Sequence, residues 1–240
     1  MIETTMTGGC LEVVLRRPNR ANALSPEMVA ELAVALDTAV EPDVRYIVIR
    51  GEGKHFCSGF DLAPAEDSVL NLRFIQLERL LAKVAYAPVP TIACVKGAAI
   101  GAGADLVAAC TFRIGTTDVS LRFPGPRFGV VLGTSRLRNL VGADWACRLL
   151  LLQEKVSADE ALRIGLLSKL VPVDAALVDA ARDIGHRLAL LDAETQEDIL
   201  RIIRLGDATR EIGELCMSTS RPGLGDRLAE YASGRKTAIQ

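Results

Sequence analysis

The first half of the chain alternates between two hydrophobic rhythms. Short, largely β-branched runs at residues 11–16 (LEVVLR), 46–50 (YIVIR), 91–95 (TIACV) and 111–115 read as strands. The second and third are apolar enough to be buried on both faces. Between these runs, apolar residues recur at helical spacing. Ser25-Pro26-Glu27 opens one such stretch, with Ser25 as the N-cap, Pro26 at the first helical position and apolar residues continuing to Val40. Another covers residues 68–85, with Leu70, Phe74, Leu77, Leu80 and Leu81 on one face, and stops before Pro88 and Pro90. A third, made of small residues, covers 102–109 after a glycine turn. This order predicts an α/β core in which helices cover a mostly parallel sheet.

Beyond about Arg136 the strand signals nearly vanish. Residues 137–141, 143–152, 158–164, 175–191 and 194–212 read as successive helices, interrupted by one extended piece at 169–173 (KLVPV). The change of rhythm suggests a helical C-terminal region following the α/β core.

Composition narrows the classes. The chain has 240 residues, half of them hydrophobic, enough for one large domain with a substantial core. A formal net charge of −2 provides no whole-protein field for nucleic acid or a membrane surface. The six cysteines form no CxxC, and only His55 and His186 could join them, so neither zinc ligation nor a disulfide framework is expected. No metal is expected, and the thiols read as reduced and buried. The first residues, MIETTMTGG, show no basic run followed by an apolar one, so no signal peptide is expected. The longest apolar stretch, 95–110, is broken by Lys96, Asp105 and several glycines, so no membrane span is expected. The expected setting is cytoplasmic.

Two segments place glycine between a strand-like and a helix-like run. They are residues 55–62 (HFCSGFDL) and 96–105 (KGAAIGAGAD). Glycine permits a sharp turn and lets a ligand approach the main chain. The second turn leads into a helix whose first N–H groups have no internal acceptor and whose dipole favours negative charge. If the two turns faced each other they could offer two donors to one oxygen. Tight packing of helix on strand explains the same glycines. A dinucleotide fingerprint does not fit, because the second segment reads GAAIGAG rather than GxGxxG.

At these residues the sequence resembles the enoyl-CoA hydratase/isomerase family, the crotonase superfamily. Asn19-Arg-Ala-Asn-Ala-Leu-Ser25 resembles its N-K-x-N-A-L-S loop, and Gly53 to Leu62 its G-x-x-F-x-A-G-x-D-L segment. Pro90 to Asp105 resembles P-x-I-A-x-V-x-G-x-x-x-G-G-G-x-E, and Gly133-Thr-Ser-Arg-Leu137 resembles G-T-x-R-L. Residues 157–167 and 170–173 extend the likeness in the family order. The resemblance implies an α/β fold, a crotonase-type spiral of ββα units with a helical C-terminal region. On that basis residues 1–190 would form the spiral core with the acyl-CoA site. Residues 191–240 would serve oligomerisation, as a homotrimer or dimer of trimers, and close the site. It also implies an oxyanion hole for a thioester carbonyl, made by the N–H groups of Phe60 and Ala102. Coenzyme A would come as part of the substrate, with no separate cofactor. The loop with Arg20, Ala21, Ala23 and Leu24 would line the CoA end. Ser58, Gly59, Asp61, Leu62, Gly101, Pro124 and Gly125 would complete the binding surface.

The catalytic carboxylates are where the sequence departs from the family. Hydration needs one group to activate water and one to deliver a proton. Asp105 stands at the first glutamate position of the family. The second lies in F-x-x-P-E, but here the chain reads Leu121-Arg-Phe-Pro-Gly-Pro-Arg-Phe-Gly129, with Gly125 at that place and no acid between Val119 and Asp144. One acid plus an oxyanion hole suits a lyase or isomerase working through an enolate. It also suits a decarboxylase or C–C hydrolase on a β-keto or carboxylated substrate, or an inactive acyl-CoA-binding protein. Arg122 and Arg127 either shape the pocket for an anionic acyl group or are exposed or in structural pairs. His55 reads as a surface histidine and Cys57 as a packed thiol at the turn.

Overall fold

Strands that alternate their burial between two faces, with helices on both, organise the chain. The computed structural model describes the backbone of residues 1–204 and 208–237, with side chains at all of these except 40, 208–211 and 235–237. Strands β1 (Ile2–Thr7), β2 (Cys10–Leu15), β3 (Tyr46–Gly51), β4 (Thr91–Val95), β6 (Phe112–Thr116) and β9 (Lys169–Val171) form a six-stranded sheet in the order β1-β2-β3-β4-β6-β9. All neighbours pair in parallel except β1 with β2. That hairpin turns on Gly8 and Gly9, both at positive φ (55° and 80°), as a two-residue loop matching the strand twist requires.

The interior strands are two-faced. Ile47 and Ile49 of β3, with Ala93 and Val95 of β4, enter the main core. Tyr46, Val48, Ile92 and Cys94 point the other way, into a smaller apolar cluster capped by Leu177, Ala180 and Ala181 of helix α6 (Ala175–Leu188). The main core lies between the sheet and helices α1 (Pro26–Asp37), α2 (Asp67–Ala85) and α3 (Ala102–Ala109). Ser25 caps α1 by accepting the Met28 N–H, and Pro26 occupies the first turn.

Short strands β5 (Ala98–Ile100), β7 (Ser120–Arg122) and β8 (Val156–Ser157) build a second sheet. Isolated bridges Cys57↔Ala99 and Leu24↔Phe60 add the two loops to its edge. Long strand, short strand and helix thus repeat as β4-β5-α3 and β6-β7-α4, where α4 spans Thr134–Leu151. The α/β spiral of ββα units expected from the sequence is present. Helix α4 is two helices joined at Gly142 (φ 80°, ψ 167°), at the break between the predicted segments 137–141 and 143–152.

The end of the chain departs from expectation. In place of one helix over 194–212 there are α7 (Ala193–Ile203) and α8 (Ala208–Thr219), with α5 (Ala158–Arg163) earlier and an unforeseen α9 (Leu224–Thr237). Residues 205–207 fall outside the described residues. The start of α9 is held from outside: the Asp67 carboxylate, at the first turn of α2, accepts the N–H groups of Gly223, Leu224 and Gly225 at 3.0, 3.2 and 2.7 Å. Among the described residues no helix is long and apolar enough to cross a membrane.

Candidate functional site

The site begins with a buried asparagine. Asn22 is fully buried, and its amide donates to the carbonyls of Glu52, His55 and Phe56 at 2.9, 3.0 and 3.1 Å. Its Oδ1 accepts the Arg17 N–H at 2.9 Å. One side chain therefore fastens the loop 17–24 to the segment that carries the first glycine turn. Ala21 and Asn22 both adopt positive φ (47° and 55°) within this loop. Arg17 reinforces the junction by pairing with Asp61 at 2.6 Å.

The loop then pairs with the turn. Leu24 N–H donates to the Gly59 carbonyl at 2.8 Å, and Asp61 N–H donates to the Leu24 carbonyl at 3.1 Å. Backbone groups alternate in direction along an extended strand, so the intervening Phe60 N–H faces away from Leu24. The second turn runs against the first: Ile100 N–H donates to the Cys57 carbonyl at 2.9 Å, and Cys57 N–H to the Ala98 carbonyl at 3.2 Å. Gly101 (φ 53°, ψ −125°) then begins α3, leaving Ala102 as its first residue. Among the described residues no acceptor takes the N–H of Phe60 or of Ala102.

Two glycines make this approach possible. A Cβ on Gly59 would lie 2.3 Å from the Ile100 carbonyl oxygen and 3.2 Å from the Ala102 nitrogen. A Cβ on Gly103 would lie 2.4 Å from the Cys57 carbonyl oxygen. The tight packing read from the glycines and the facing of the two turns are thus one arrangement.

Asp105 follows one turn into α3 and is 7% exposed. Its Oδ1 packs against Gly133, the N-cap of α4, where an added Cβ would sit 2.8 Å away. Among the described residues no donor hydrogen-bonds its carboxylate. Burial pushes the carboxyl pKa well above its usual range; the Arg136 cation pulls it back and Glu78 pushes it further up. Arg136 is itself engaged: its two terminal nitrogens donate to the two Glu78 oxygens at 2.7 Å each, both side chains being buried.

Ser58, Phe60, Leu62, Gly101, Ala102 and Asp105 line one cavity of about 260 Å³, together with Pro124 and Gly125. Arg20, Ala21, Ala23, Leu24, Gly59 and Asp61 do not line it. They lie behind or beside it, joined through the bridge at Leu24 and a bond from Ser58 Oγ to the Arg20 carbonyl at 3.3 Å. The Asp61 carboxylate is occupied by Arg17. Gly125 opens a 3-10 turn (Gly125–Phe128) on the cavity wall, and Asp105 is the sole carboxylate among the lining residues.

Sequence reasoning missed much of the lining, including Phe74, Phe123, Phe128 and Tyr231. Phe74 belongs to the apolar face expected of its helix, and Tyr231 lies on the unforeseen α9. Arg122 and Arg127 do not line this cavity; with Arg227 they border a separate one, which favours, of the two readings left open, the one in which they do not shape the acyl pocket. His55 Nδ1 accepts the Ala98 N–H at 3.1 Å and holds β5 in place. Cys57 is buried, donates to the Asn22 carbonyl at 3.0 Å, and has its pKa pushed up to about 12 by burial, so it is a packed thiol.

The chain is similar to known proteins over most of its length. The enoyl-CoA hydratase/isomerase family profile matches residues 5–199. A probable enoyl-CoA hydratase of Mycobacterium leprae is 36% identical over 165 residues, covering 65% of this chain and 66% of that protein. The match to the Mycobacterium bovis relative covers 65% of its length, so the chain spans just under two-thirds of these mycobacterial relatives. A probable enoyl-CoA hydratase of Bacillus subtilis is 32% identical over 213 residues, covering 85% of this chain and 82% of that one. A hydratase/isomerase-family structure from Bordetella parapertussis superposes with a TM-score of 0.91 at 35% identity, covering 96% of this chain and 98% of its own. From the profile match, the relatives and the fold together, this chain belongs to the enoyl-CoA hydratase/isomerase family.

Proposed function

We propose that the protein binds an acyl-CoA thioester, polarises its carbonyl with the N–H groups of Phe60 and Ala102, and moves a proton with Asp105. The observation that carries this reading is the juxtaposition of two N–H groups without acceptors and one buried carboxyl on a single cavity. Two such donors aimed at a thioester oxygen stabilise the enolate that forms when a proton leaves the α-carbon. Losing one donor in a site of this kind costs on the order of 3 kcal/mol of transition-state stabilisation.

A single carboxyl suits isomerisation or a lyase reaction better than hydration. In a 1,3-proton shift the group that removes the proton can return it to another carbon, so the carboxyl ends as it began. Hydration requires a second group to activate water, and Gly125 stands on the wall where the family has that acid. The elevated pKa of Asp105 suits a group that alternates between acid and base. The loop of Arg20, Ala21, Ala23 and Leu24, with Ser58, would meet the CoA moiety. Asp61, paired with Arg17, would act by holding that loop. The scheme calls on no cofactor besides the coenzyme A of the substrate. The exposed Leu190 and Ile202 support the reading of residues 191–240 and their approach as a contact region in a homotrimer or dimer of trimers.

Asp105→Asn tests the reading. Turnover should fall about 10²–10⁴-fold, as for loss of a general acid–base group, while acyl-CoA affinity changes by no more than a few-fold. Equal turnover in the variant would remove Asp105 from the mechanism. Tight binding by the wild type with no turnover on enoyl-, β-keto- and carboxylated acyl-CoAs would make the protein a binder.

A further inference from the structure

We infer that the acyl group accepted by this cavity is uncharged and of medium length, with about ten carbon-sized atoms held within the protein. The inference rests on the acyl-CoA reading above and adds the substrate class.

Charge is decided by the walls. Among the described residues, the side chains around the cavity that carry a polar atom are Ser58, Asp105, Thr134 and Tyr231, and none of these is a cation. The nearby guanidinium groups are turned to other work. Arg73 lies over the Phe60 ring at 4.4 Å from its centre and donates to the carbonyls of Asp61 and Ala63 at 2.6 and 3.2 Å. Arg227 donates to the Phe128 and Pro222 carbonyls at 2.9 and 2.5 Å. Arg122 and Arg127 border the neighbouring cavity. A carboxylate at the end of an acyl chain would lose water here and meet no partner, and Asp105 would repel it if ionised. Unpaired charge in apolar surroundings is strongly disfavoured.

Length follows from volume. An apolar cavity of about 150 Å³ takes up one benzene, or roughly 25 Å³ per carbon. The present cavity of about 260 Å³ therefore takes roughly ten such atoms on the same scale. Its surfaces suit a flexible alkyl chain: Phe60 stacks on Phe74 with ring centres 4.2 Å apart, and Phe128 meets Tyr231 at 5.2 Å. The break at Gly142 lets both ends of α4 reach it, through Thr134 and through Leu150 and Leu151. Leu151 is 74% exposed, so the cavity is not sealed there and a longer chain would protrude into water without further gain.

The test is a calorimetric titration of the full chain with acetyl-, butyryl-, hexanoyl-, octanoyl-, decanoyl-, dodecanoyl- and hexadecanoyl-CoA, with glutaryl-CoA and free CoA beside them. Affinity should rise about fourfold per methylene, as apolar burial implies, and level off between octanoyl and decanoyl. Glutaryl-CoA should bind at least about 100-fold more weakly than hexanoyl-CoA, given its unpaired charge. Val131→Phe, at a partly exposed lining position, should move the plateau two to four carbons shorter, by roughly the volume of the added carbons. Glutaryl-CoA binding as tightly as hexanoyl-CoA, a flat series, or a rise continuing to hexadecanoyl would each overturn the inference while leaving the acyl-CoA reading intact. If neither free CoA nor any thioester binds, the acyl-CoA reading itself fails.

Discussion

Replacing Gly103 with alanine should both destabilise the protein and disable the site, although the same change usually strengthens a helix. In an unconstrained helix interior Gly→Ala gains roughly 0.5–1 kcal/mol. At Gly103 the new Cβ would stand 2.4 Å from the Cys57 carbonyl oxygen and 2.9 Å from the Cys57 carbonyl carbon. Both are backbone atoms, so α3 must move by about 1 Å to reach a normal separation near 3.5 Å. Overpacking of this kind costs about 1–3 kcal/mol, leaving a net loss of up to roughly 2 kcal/mol after the helix gain. A melting temperature lower by up to roughly 8 °C follows for a chain of this size. The effect on turnover should be larger, because the shift separates Ala102 from the Phe60 turn, and a misplacement of about 1 Å can reduce rate some 100-fold. Gly213→Ala in α8 is the control, since nothing lies within 4 Å of its added Cβ. It should raise stability by about 0.5–1 kcal/mol and leave turnover alone. Thermal denaturation and kcat/KM on the best thioester would decide it. If both variants gain stability and keep activity, the close approach of the two turns is not what α3 depends on.

Other consequences can be checked separately. Asp105→Asn should be more stable than the wild type at neutral pH. With the folded pKa raised, the folded state holds the proton after the unfolded state has lost it, so wild-type stability falls as pH rises above the ordinary value of 3.8. Denaturant titrations should show the variants converging at acid pH; a gain of constant size at all pH would count against burial as the cause. Glu78→Gln should cost about 1–3 kcal/mol by replacing two charge-assisted hydrogen bonds to Arg136 with weaker contacts to a neutral amide, whereas Glu78→Leu with Arg136→Met should recover most of it. Equal losses in urea melts would refute that assignment. Asp67→Asn should speed hydrogen exchange at the start of α9, because the amide loses the ability to take three N–H groups as a charged acceptor. That carboxyl is held below its usual pKa by the same bonds, so the wild type should lose this protection as pH falls. Unchanged exchange would show that α9 is held by its packing alone.

Much of this architecture was legible in residue order. The β-branched runs at 46–50 and 91–95 became β3 and β4, and their alternating burial explains why they look apolar throughout. Ser25-Pro26 gave the start of α1, and Gly142 the break in α4. The edge strand β1 was not visible because its sequence, IETTMT, is mostly exposed and lacks an apolar face. Strands β5, β7 and β8, two or three residues each, are too short for any period to register. At the site, the motifs pointed to the two glycine turns, Asp105 and Gly125, which the fold brings to one cavity. They could not locate Tyr231 or Phe128, which reach the cavity from helices and turns distant in sequence and carry no chemical signature of their own. The choice left open for Arg122 and Arg127 could not be closed from the sequence for a related reason: proximity in sequence to Gly125 says nothing about which of two neighbouring cavities a side chain borders.

The fastening by Asn22 also bears on how such a site can change over evolutionary time. Its four hydrogen bonds all go to main-chain groups, which every amino acid other than proline supplies. Arg20, Ala21 and Ala23 around it, and His55 and Phe56 opposite, can therefore be exchanged without undoing the junction, provided the backbone keeps its course. If that loop meets the far end of a ligand, as proposed, its recognition can drift while the two N–H groups stay in register. The burden of that stability falls on one position, where aspartate would lose the donors and leucine would lose all four side-chain hydrogen bonds.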